Sequence, residues 1–499
     1  MSYTPFFISH LRLAQHQHEK AAASRFIDMC ILTDNDGEVW YDSLQNREEC
    51  SHMEDILQSI FKAYDVRGKV GSELTPELYT KIAQSFANWL PESGPIAVGY
   101  DMRAESAELK EAFINGLVSQ GRDVVEIGMI TSEMLTFAVG SQGLAGGAVI
   151  TASHNPSEYN GIKFCREEAK PMGLTLGLAE VRDGVLNDWP AADTPGTVKQ
   201  VNVMETWIEH VLSFIDESVL RDMRIAVDAG NGMAGMVFAE MEPFLPIEVE
   251  EMYFEPDGSF PNHEANPLKH ETLADLIEVI KQHKLDGGVA FDGDGDRAFL
   301  VDETGEVLSG GVLTSLLAEH FLKEHPKSAI VYDVRNSRSV RDVIEQNGGT
   351  AYRSKVGHSL IKQAMREHDA VFGGEASGHF FFRDNWYADS GLIAAMVALY
   401  YTKSQGLKLS DVRKKFTKYA AIPETNFEVA DSQAAIEAVA SEFPDAEQDR
   451  LDGLSLALPD AWVSIRASNT EPILRLNAEA KSQERLDKLV AQIKQCVSS

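Results

Sequence analysis

Three aspartates at alternate positions form the most distinctive chemical pattern in the chain. The stretch VAFDGDGDRAFLVDETG, residues 289–305, places Asp292, Asp294 and Asp296 between glycines. Bare carboxylates at this spacing would repel one another, so they converge on one point only around a cation. Hard oxygen ligands of this kind suit Mg²⁺ or Ca²⁺. The pattern predicts a divalent metal site, and a solvated acidic turn is the alternative.

A calcium loop of the EF-hand type is the competing interpretation of the same stretch. Glu303 falls at its twelfth position, but the sixth position, where that loop needs glycine, is Arg297. The flanking apolar runs also favour strands over helices. We therefore exclude an EF-hand, and Arg297 becomes a candidate for binding a substrate anion.

A serine on a loop is the candidate nucleophile. In VITASHNPSEYNGIKF, residues 149–164, an apolar run ends at Ser153, and Lys163 follows ten residues later. A hydroxyl presented after a strand, with a lysine nearby, is suited to act as a nucleophile or phosphate carrier. The alternative is a plain turn, in which Ser and Asn cap backbone groups and Pro fixes the bend.

Two further stretches carry groups that bind polar ligands. In GGEASGHFFF (373–382), the residues Glu375, Ser377 and His379 alternate, so an extended loop would point them the same way. An acceptor, a hydroxyl and an imidazole together could hold sugar hydroxyls, with a Gly-rich turn as the alternative. SIRASNTEPILR (464–475) offers a dense set of hydrogen-bond donors: Arg466, Ser468, Asn469 and Thr470. Such a set could bind a phosphate dianion, and this explains the residues better than a polar hairpin turn does.

The elements that must position these groups are those of an α/β protein. Three apolar runs bounded by Gly and Asp, each followed by a loop and a helical period, predict buried parallel strands: PIAVGYDMR (95–103), RIAVDAGNGMAG (224–235) and AIVYDVRNS (329–337). A helix is predicted over Thr272 to Lys284. The last eighty or so residues alternate strands with helices and predict a small α+β domain. At 499 residues, the chain is long enough for about three or four domains.

Charge and cysteine content limit the partners and the compartment. The formal net charge is −32, which disfavours nucleic acid and anionic membrane surfaces as partners and requires local Arg and Lys to hold an anionic substrate. Four cysteines are too few and too scattered for a disulfide framework, and they indicate a reducing compartment. No secretory signal is recognised at the N-terminus, and the most apolar later stretch, 391–401, is short of the roughly 20 residues that cross a bilayer. We expect a cytoplasmic protein.

Taken together and in this order, TASHNP, DGDGDR, GEASGH and RASNTEP resemble the α-D-phosphohexomutase superfamily, specifically its phosphomannomutase/phosphoglucomutase branch. FKAYDVRG (61–68) is similar to the family's opening FRAYDIRG. The resemblance runs from about Phe61 to the C-terminus and leaves residues 1–54 as an N-terminal extension of unknown structure.

The resemblance implies three similar α/β domains plus a C-terminal α+β domain around a central cleft. The expected boundaries are 55–200 for the domain with the phosphoserine loop, 201–305 for the metal-binding loop, 306–418 for the sugar-binding loop and 419–499 for the phosphate-binding loop.

The resemblance also implies roles for individual residues. Ser153 would carry the phosphate, and Mg²⁺ would be held by a phosphoserine oxygen with Asp292, Asp294 and Asp296. Sugar hydroxyls would contact Glu375, Ser377 and His379, and the phosphate that is not transferred would be held by Arg466, Ser468, Asn469 and Thr470. Six further residues lie in stretches that resemble other cleft-lining parts of the family. The catalytic candidates among them are Arg67, Lys163 and His358, and the substrate-binding candidates are Arg297, Arg335 and Lys355.

The implied activity is that of an isomerase that interconverts hexose 6-phosphate and hexose 1-phosphate, with mannose and also glucose as the sugar. The reaction passes through a 1,6-bisphosphate, which also acts as activator. Ala376 in GEASGH is nearer this branch than the GEQSGH of glucosamine-type relatives. Two departures from the family pattern are Ala152, where Gly is frequent, and Arg335, where Lys is common, and the second could alter how the phosphosugar is gripped.

Three rival functions and one mechanistic question remain open at this point. The rivals are a glucosamine-phosphate mutase, a Mg²⁺-dependent phosphatase, and a non-catalytic protein that binds sugar phosphates. The question is which side chain accepts the proton of the substrate hydroxyl, since Lys163, His154 and His358 are all suitable by type.

Overall fold

The computed structural model describes residues 44–467 and 473–498. Most of the expected N-terminal extension, residues 1–43, lies outside the described residues, and the first described element is helix α1 (Leu44–Ile60). Four β-sheets follow along the chain. We call each sheet with its helices a domain, numbered from first to fourth.

The first domain has a six-stranded sheet in the order β1-β5-β4-β2-β3-β6. The central strand β2 pairs in parallel with β3 and β4, while β5 runs antiparallel to β4 and β1. In chain order, the elements are β1 (Val66–Lys69), α2 (Pro76–Trp89), β2 (Ile96–Tyr100), α3 (Ser106–Ser119), β3 (Val124–Met129), α4 (Ser132–Gln142), β4 (Gly146–Ile150), β5 (Tyr159–Arg166), α5 (Ala179–Gly184) and β6 (Val198–Gln200).

The second domain has a five-stranded sheet in the order β11-β10-β9-β7-β8, with β7 parallel to both β8 and β9. Strands β9 and β10 form an antiparallel hairpin, so strands flank the acidic loop as expected. The elements are α6 (Met204–Leu212), β7 (Met223–Asp228), α7 (Ala234–Met241), β8 (Ile247–Met252), α8 (Ala274–His283), β9 (Gly287–Phe291), β10 (Ala298–Asp302) and β11 (Val307–Leu308).

The third domain repeats this build in the order β13-β12-β14-β15-β16, with β12 parallel to β13 and β14. The elements are α9 (Gly310–Glu324), β12 (Ala329–Asp333), α10 (Arg338–Gln346), β13 (Thr350–Ser354), α11 (His358–Glu367), β14 (Phe372–Gly374), β15 (Phe380–Phe382), β16 (Ala388–Asp389), α12 (Gly391–Ser404) and α13 (Leu409–Phe416).

The fourth domain is an antiparallel sheet in the order β17-β22-β21-β20-β19, with β18 also paired to β22. Its own apolar cluster includes residues of the sheet and of both helices, among them Ile436, Leu474 and Leu489. The elements are β17 (Ala420–Ala421), β18 (Thr425–Glu428), α14 (Ser432–Glu442), β19 (Glu447–Asp449), β20 (Leu454–Ala457), β21 (Ala461–Ala467), β22 (Ile473–Ala480) and α15 (Gln483–Ser498).

The expected fold class is confirmed. The three apolar runs are the central parallel strands β2, β7 and β12, and the periodic stretch after Thr272 is α8. One continuous apolar cluster joins the first three domains, and the nearly uniformly apolar α12 lies within it. This common core places the carboxyl ends of the central strands on one framework, where α/β proteins bind ligands.

Local capping chemistry sets several helix ends. Thr75 Oγ1 accepts a hydrogen bond from the Leu78 N–H, and Pro76 occupies the first helical turn of α2. Ser390 caps α12 in the same way through the Ile393 N–H. Helix α4 ends at Gly143, whose φ of 62° is left-handed and favours glycine.

Cysteine state and membrane topology can be checked in the described part of the chain. Cys165 is buried and carries a free thiol. The search of the described residues found no helix with the length and apolarity that a membrane span requires.

His320 on α9 makes folding stability depend on pH. Its side chain is buried, its Nε2 forms no hydrogen bond with any described residue, and burial, reinforced by Lys323 and His325, lowers its pKa from 6.5 to about 4. Between pH 6.5 and 4, His320 is therefore protonated in the unfolded chain and neutral in the folded chain. We expect stability to fall between pH 6.5 and 4 by on the order of 1–3 kcal/mol from this group.

Replacing His320 with Leu should flatten the decrease of Tm from pH 7 to pH 4.5, as measured by differential scanning calorimetry. The exposed His270 supplies the control, because His270→Asn should keep the wild-type slope. Equal slopes in wild type and His320→Leu would contradict this assignment.

Candidate functional site

Ser153 lies on the loop that follows β4, a strand whose five residues are all buried. Its backbone is left-handed with φ 50°, an uncommon conformation for a residue other than glycine. The Ser153 N–H donates to Thr151 Oγ1 at 2.9 Å, and the residue is only 2% exposed. The loop thus presents one hydroxyl in a strained and defined position.

The acidic loop of the second domain meets this serine directly. Ser153 Oγ donates to Asp292 Oδ2 at 3.2 Å across 139 residues of sequence. The approach requires Gly293, because a Cβ there would lie 2.5 Å from the Ser153 carbonyl oxygen. The structure therefore places the predicted serine and the first predicted aspartate in one pocket.

The three aspartates fit a divalent cation. They are buried, and one carboxylate oxygen of each lies within 4.8 Å of the others. Asp294 Oδ1 accepts no hydrogen bond from any described residue. Burial raises the pKa of Asp292 to about 6, and although Arg297 opposes this, the neighbouring Asp296 and Asp294 add to it. An unpaired oxygen amid repelling carboxylates is what a hard cation would relieve.

A second acidic group, Asp296 with His379 and Asp389, also satisfies the spacing for a metal ion. Here, however, Asp389 pairs with the buried Lys362 at 2.6 Å, and His379 lies 3.3 Å from Glu375 and 3.5 Å from Asp296. Against the effect of burial, the carboxylates of Asp296 and Glu375 raise the pKa of His379 to about 9, and a protonated imidazole cannot bind a metal ion, so we interpret this group as an ion-pair network.

Basic side chains surround the serine and the acidic loop. Lys163 on β5 stands opposite Val149 of β4, and its Nζ donates to Asp294 Oδ2 at 2.6 Å and to Asp296. Arg67 donates to Asp65 at 2.6 Å and to Asn155 Oδ1 at 2.8 Å. Both catalytic candidates thus lie at the serine loop, with positive charge where an anionic substrate would need it.

Arg297 is buried and faces the acidic loop and the serine loop. Its Nε donates to Asp292 Oδ2 at 2.7 Å, and its Nη2 contacts His154 Nδ1. The same His154 nitrogen lies 3.2 Å from Ser153 Oγ. Burial and, next, the charge of Arg297 lower the pKa of His154 to about 2, so the imidazole is neutral.

The third motif adopts the Gly-rich turn that the sequence left open as the alternative to an extended loop. Gly378 has φ 91°, its N–H donates to the Glu375 carbonyl at 3.1 Å, and the Glu375 N–H donates to the His379 carbonyl at 2.9 Å. The turn still brings the three side chains together, because His379 Nδ1 lies 3.2 Å from Ser377 Oγ and 3.3 Å from Glu375 Oε2. Convergence comes from the turn rather than from strand alternation.

The third motif is joined to the metal loop. The backbones of Arg297 and His379 form an isolated antiparallel bridge, and His379 Nε2 lies 3.5 Å from Asp296 Oδ1. Although burial alone would lower the pKa of His379, Asp296 and Glu375 raise it to about 9. The imidazole is therefore positively charged at neutral pH.

The other candidates of the third domain lie around Glu375. Arg335 donates to Asp333 at 2.6 Å and to Ser377 Oγ at 3.3 Å. Lys355 is exposed on the loop between β13 and α11. His358 begins α11 with its ring centroid 6.1 Å from that of His379, and burial lowers its pKa to about 3. These residues share one side of the third domain.

The fourth motif is described only in part. Arg466 lies near the end of β21, whereas Ser468, Asn469 and Thr470 lie outside the described residues. Asp452 accepts a hydrogen bond from Arg466 Nη1 at 3.4 Å and another from the Val356 N–H at 3.1 Å. Arg466 is thereby held beside the loop that carries Lys355.

Sequence reasoning missed several residues of this site. Ser132, the first residue of α4, donates its hydroxyl to Asp294 Oδ2 and its N–H to the Asp294 carbonyl at 3.0 Å. Lys362 and Asp389 form the buried pair beside His379. None of these residues belongs to a local chemical motif. The available sequence signal was Lys362, a lysine that shares the buried face of α11 with Ile361 and Met365.

Four family models match this chain, and together they cover most of it. The descriptions of the matching family models are phosphoglucomutase/phosphomannomutase alpha/beta/alpha domain I over residues 58–176, domain II over 205–305, domain III over 309–419 and the C-terminal domain over 424–495. A phosphohexose mutase of Xanthomonas campestris pv. campestris strain B100 is 39% identical over 430 residues, which are 85% of this chain and 96% of that protein. A phosphomannomutase of Salmonella montevideo is 39% identical over 432 residues, 84% of this chain and 94% of that protein.

Among solved structures, a phosphoglucomutase/phosphomannomutase family protein from Burkholderia thailandensis aligns with a TM-score of 0.81 and 31% identity. The alignment covers 88% of this chain and 97% of that one.

Proposed function

The chain belongs to the phosphoglucomutase/phosphomannomutase family and interconverts hexose phosphates, and we propose that it does so through a phosphate carried on Ser153. Mannose phosphate is the first substrate in this proposal and glucose phosphate the second. The observation that carries it is the 3.2 Å contact between Ser153 Oγ and the buried acidic cluster. A binding protein would need neither a carrier hydroxyl nor three buried aspartates beside it.

The residues at the serine loop would align and neutralise the moving phosphoryl group. Phosphoryl transfer asks a protein mainly for positioning and charge stabilisation. Lys163, Arg67 and Arg297 bring three positive charges to this loop in a chain whose net charge is −32. Asp292, Asp294 and Asp296, together with phosphorylated Ser153, would hold Mg²⁺, which would supply further neutralisation of the transferred group.

The transfer conserves atoms and protons. The bond between phosphorus and the Ser153 oxygen breaks, a bond forms between phosphorus and the free hydroxyl oxygen of the hexose monophosphate, and that hydroxyl releases its proton. That proton passes to one of the three acceptors considered from sequence, Lys163, His154 or His358. The 3.2 Å distance between His154 Nδ1 and Ser153 Oγ does not favour His154, because the same nitrogen contacts Arg297 Nη2 and the pKa of His154 is lowered to about 2. The product is a hexose 1,6-bisphosphate.

Isomerisation then requires the bisphosphate to reverse its orientation, so that its other phosphate returns to Ser153. In our proposal Glu375, Ser377 and His379 bind the sugar hydroxyls in either orientation, with Arg335 and Lys355 beside them. The phosphate that is not transferred is held by Arg466, Ser468, Asn469 and Thr470. Because a hexose 1,6-bisphosphate can rephosphorylate an empty Ser153, it would act as activator.

Each domain would then contribute one loop. We propose the division 55–200 for the phosphoserine loop, 201–305 for the metal loop, 306–418 for the sugar loop and 419–499 for the phosphate loop. The turn around Gly378 and its bridge to Arg297 support this division of labour, since they bring the sugar loop to the metal loop.

Substrate choice tests the proposal. Mannose 1-phosphate should turn over fastest in a coupled assay with Mg²⁺, glucose 1-phosphate second, and the 1-phosphates of glucosamine and N-acetylglucosamine at least about tenfold more slowly. Glucose 1,6-bisphosphate should raise the rates, and intact-mass measurement of fresh protein should show a fraction carrying one phosphate. A fastest rate on glucosamine 1-phosphate, or release of inorganic phosphate without isomerisation, would overturn the assignment.

A further inference from the structure

Arg103, three residues after the end of β2, holds the backbone of the serine loop. Its side chain is almost fully buried, with the residue 3% exposed. Nη1 donates to the carbonyl oxygens of Pro156 at 2.8 Å and Tyr159 at 3.0 Å. Nη2 donates to those of Ser153 at 2.9 Å and Asn155 at 2.6 Å. One guanidinium group thus joins three carbonyls of the irregular loop between β4 and β5 to that of Tyr159, the first residue of β5.

The charge of this buried guanidinium is balanced inside the first domain. Arg103 Nε lies 3.3 Å from Asp101 Oδ2, and Asp101 Oδ1 accepts hydrogen bonds from the Arg103 N–H at 3.0 Å and from Ser106 Oγ at 2.6 Å. Asn160 in turn donates to Ser106 Oγ at 2.9 Å. Only arginine offers a planar fork of N–H donors, so lysine could not replace this pattern.

These hydrogen bonds act on the peptide that sets the Ser153 hydroxyl. The left-handed backbone of Ser153, with φ 50°, is disfavoured for a residue other than glycine and persists only where its surroundings enforce it. Its carbonyl oxygen is fixed on one side by Arg103 and packed on the other against Gly293 of the acidic loop. Releasing that carbonyl would let the hydroxyl move relative to Asp292.

The second domain covers Arg103 from outside. The Phe260 ring centroid lies 5.3 Å from the guanidinium carbon, in a cation–π contact. Gly258 approaches so closely that a Cβ there would lie 2.6 Å from Arg103 Cα. The segment 257–260 and the acidic loop belong to the same domain, so this contact ties the serine loop to the domain that carries the aspartates.

We propose that Arg103 is a positioning residue for phosphoryl transfer, which holds the Ser153 loop in register with the aspartate loop, and that Phe260 keeps it in place. The proposal rests on the proposed function in one respect, since it assumes that Ser153 Oγ is the reacting atom. Arg103 itself contacts neither the metal ligands' carboxylates nor the cleft-lining residues of the third domain in any hydrogen bond of the described structure.

The chain offers a matched control for this arginine. Arg122, which precedes β3 at the opposite end of the same sheet, also makes four hydrogen bonds to backbone carbonyl oxygens, at 2.7 to 3.0 Å. Those carbonyls belong to Ala87, Leu90 and Glu92, far along the chain from the serine loop. Arg103→Lys and Arg122→Lys therefore both disrupt four hydrogen bonds from a guanidinium to backbone carbonyls, and Arg103→Lys in addition alters the ion pair with Asp101.

We expect Arg103→Lys to lower kcat about 100-fold while KM changes by less than about threefold, because a misplaced reacting atom affects the transition state more than substrate binding. Amide hydrogen exchange in residues 152–160 should accelerate at least about tenfold in this variant. Arg122→Lys should keep wild-type kcat and wild-type exchange in that segment, whatever it does to Tm.

Several outcomes would overturn the proposal: equal kcat losses in the two variants, a wild-type kcat in Arg103→Lys, or unchanged exchange in its serine loop. Wild-type protein without mutase activity would instead refute the proposed function, and the exchange comparison would still decide whether Arg103 orders the loop.

Should Arg103→Lys fail to fold, Phe260→Ala decides the question. Phe260→Ala should lower kcat about fivefold at constant KM. The control is Phe244→Ala at an exposed position, which should keep the wild-type kcat. Equal kcat values in these two variants would overturn the proposal.

Discussion

Alanine in place of Ser153 should reduce kcat by on the order of 10⁴-fold or more while leaving Tm close to that of the wild type. The reaction we propose needs this oxygen as the atom that gives and regains the phosphate, and no neighbouring group can replace it. The hydroxyl of Thr151, two residues earlier, already accepts a hydrogen bond from the Ser153 N–H at 2.9 Å. The folded chain loses only the weak contacts of Ser153 Oγ with Asp292 Oδ2 and with His154 Nδ1, both at 3.2 Å.

The measurements are a coupled assay with mannose 1-phosphate and intact mass of the purified protein. Ser153→Ala should show no phosphorylated fraction and no recovery of activity with glucose 1,6-bisphosphate. The exposed Ser157 lies on the same loop, and Ser157→Ala should keep both the phosphate and the rate. Residual turnover above a hundredth of the wild-type rate in Ser153→Ala would refute the role of this residue.

The fold was predictable because its signals are local. Strands β2, β7 and β12 are short apolar runs that end at Gly, Tyr or Asp, and burial on both faces makes such runs recognisable without any partner. The acidic loop is equally local, since Asp292, Asp294 and Asp296 stand within five residues. The resemblance then supplied the order in which the loops meet.

Geometry that depends on several segments was not predictable in the same way. For the third motif the sequence left an extended loop and a Gly-rich turn open, because alternation of side chains cannot distinguish them. The left-handed backbone of Gly378 decides for the turn. Arg297 was a candidate for substrate binding, and its burial against Asp292 depends on the hairpin of β9 and β10. Expectations for Ser468, Asn469 and Thr470 stay predictions, since these residues lie outside the described part of the chain.

The residues that hold the site in place through contacts distant in sequence could hardly be predicted from the sequence. Arg103 follows a recognised strand, yet its four acceptors are backbone carbonyls about fifty residues away, and a carbonyl has no sequence signature. The same holds for Ser132, which reaches Asp294 across 162 residues. A sequence motif identifies the groups that react, whereas the residues that position those groups are found only in the three-dimensional structure.

The metal site gives the second large expected effect. Asp294 has two different oxygens: Oδ2 accepts hydrogen bonds from Lys163 Nζ at 2.6 Å and from the Ser132 hydroxyl, while Oδ1 is unpaired among the described residues. In Asp294→Asn, an amide nitrogen at the Oδ2 position would face the donors Lys163 and Ser132. At the Oδ1 position it would remove the free ligand oxygen. Either orientation costs the site an interaction as well as a negative charge.

We therefore expect Asp294→Asn to shift the Mg²⁺ dependence of activity to at least about tenfold higher concentration and to lower kcat about 10²- to 10³-fold at saturating metal. The measurement is a Mg²⁺ titration of chelator-treated enzyme with mannose 1-phosphate, paired with calorimetric titration of the unphosphorylated protein with Mg²⁺ alone. Asp275 is the control, because its carboxylate accepts the Tyr253 hydroxyl at 2.7 Å in the same domain, away from the aspartate loop. Asp275→Asn should reproduce the wild-type titration. If the curve of Asp294→Asn superimposes on it as well, the acidic loop is not the magnesium site, and the phosphoryl group on Ser153 must be neutralised by Lys163, Arg67 and Arg297 without a metal ion.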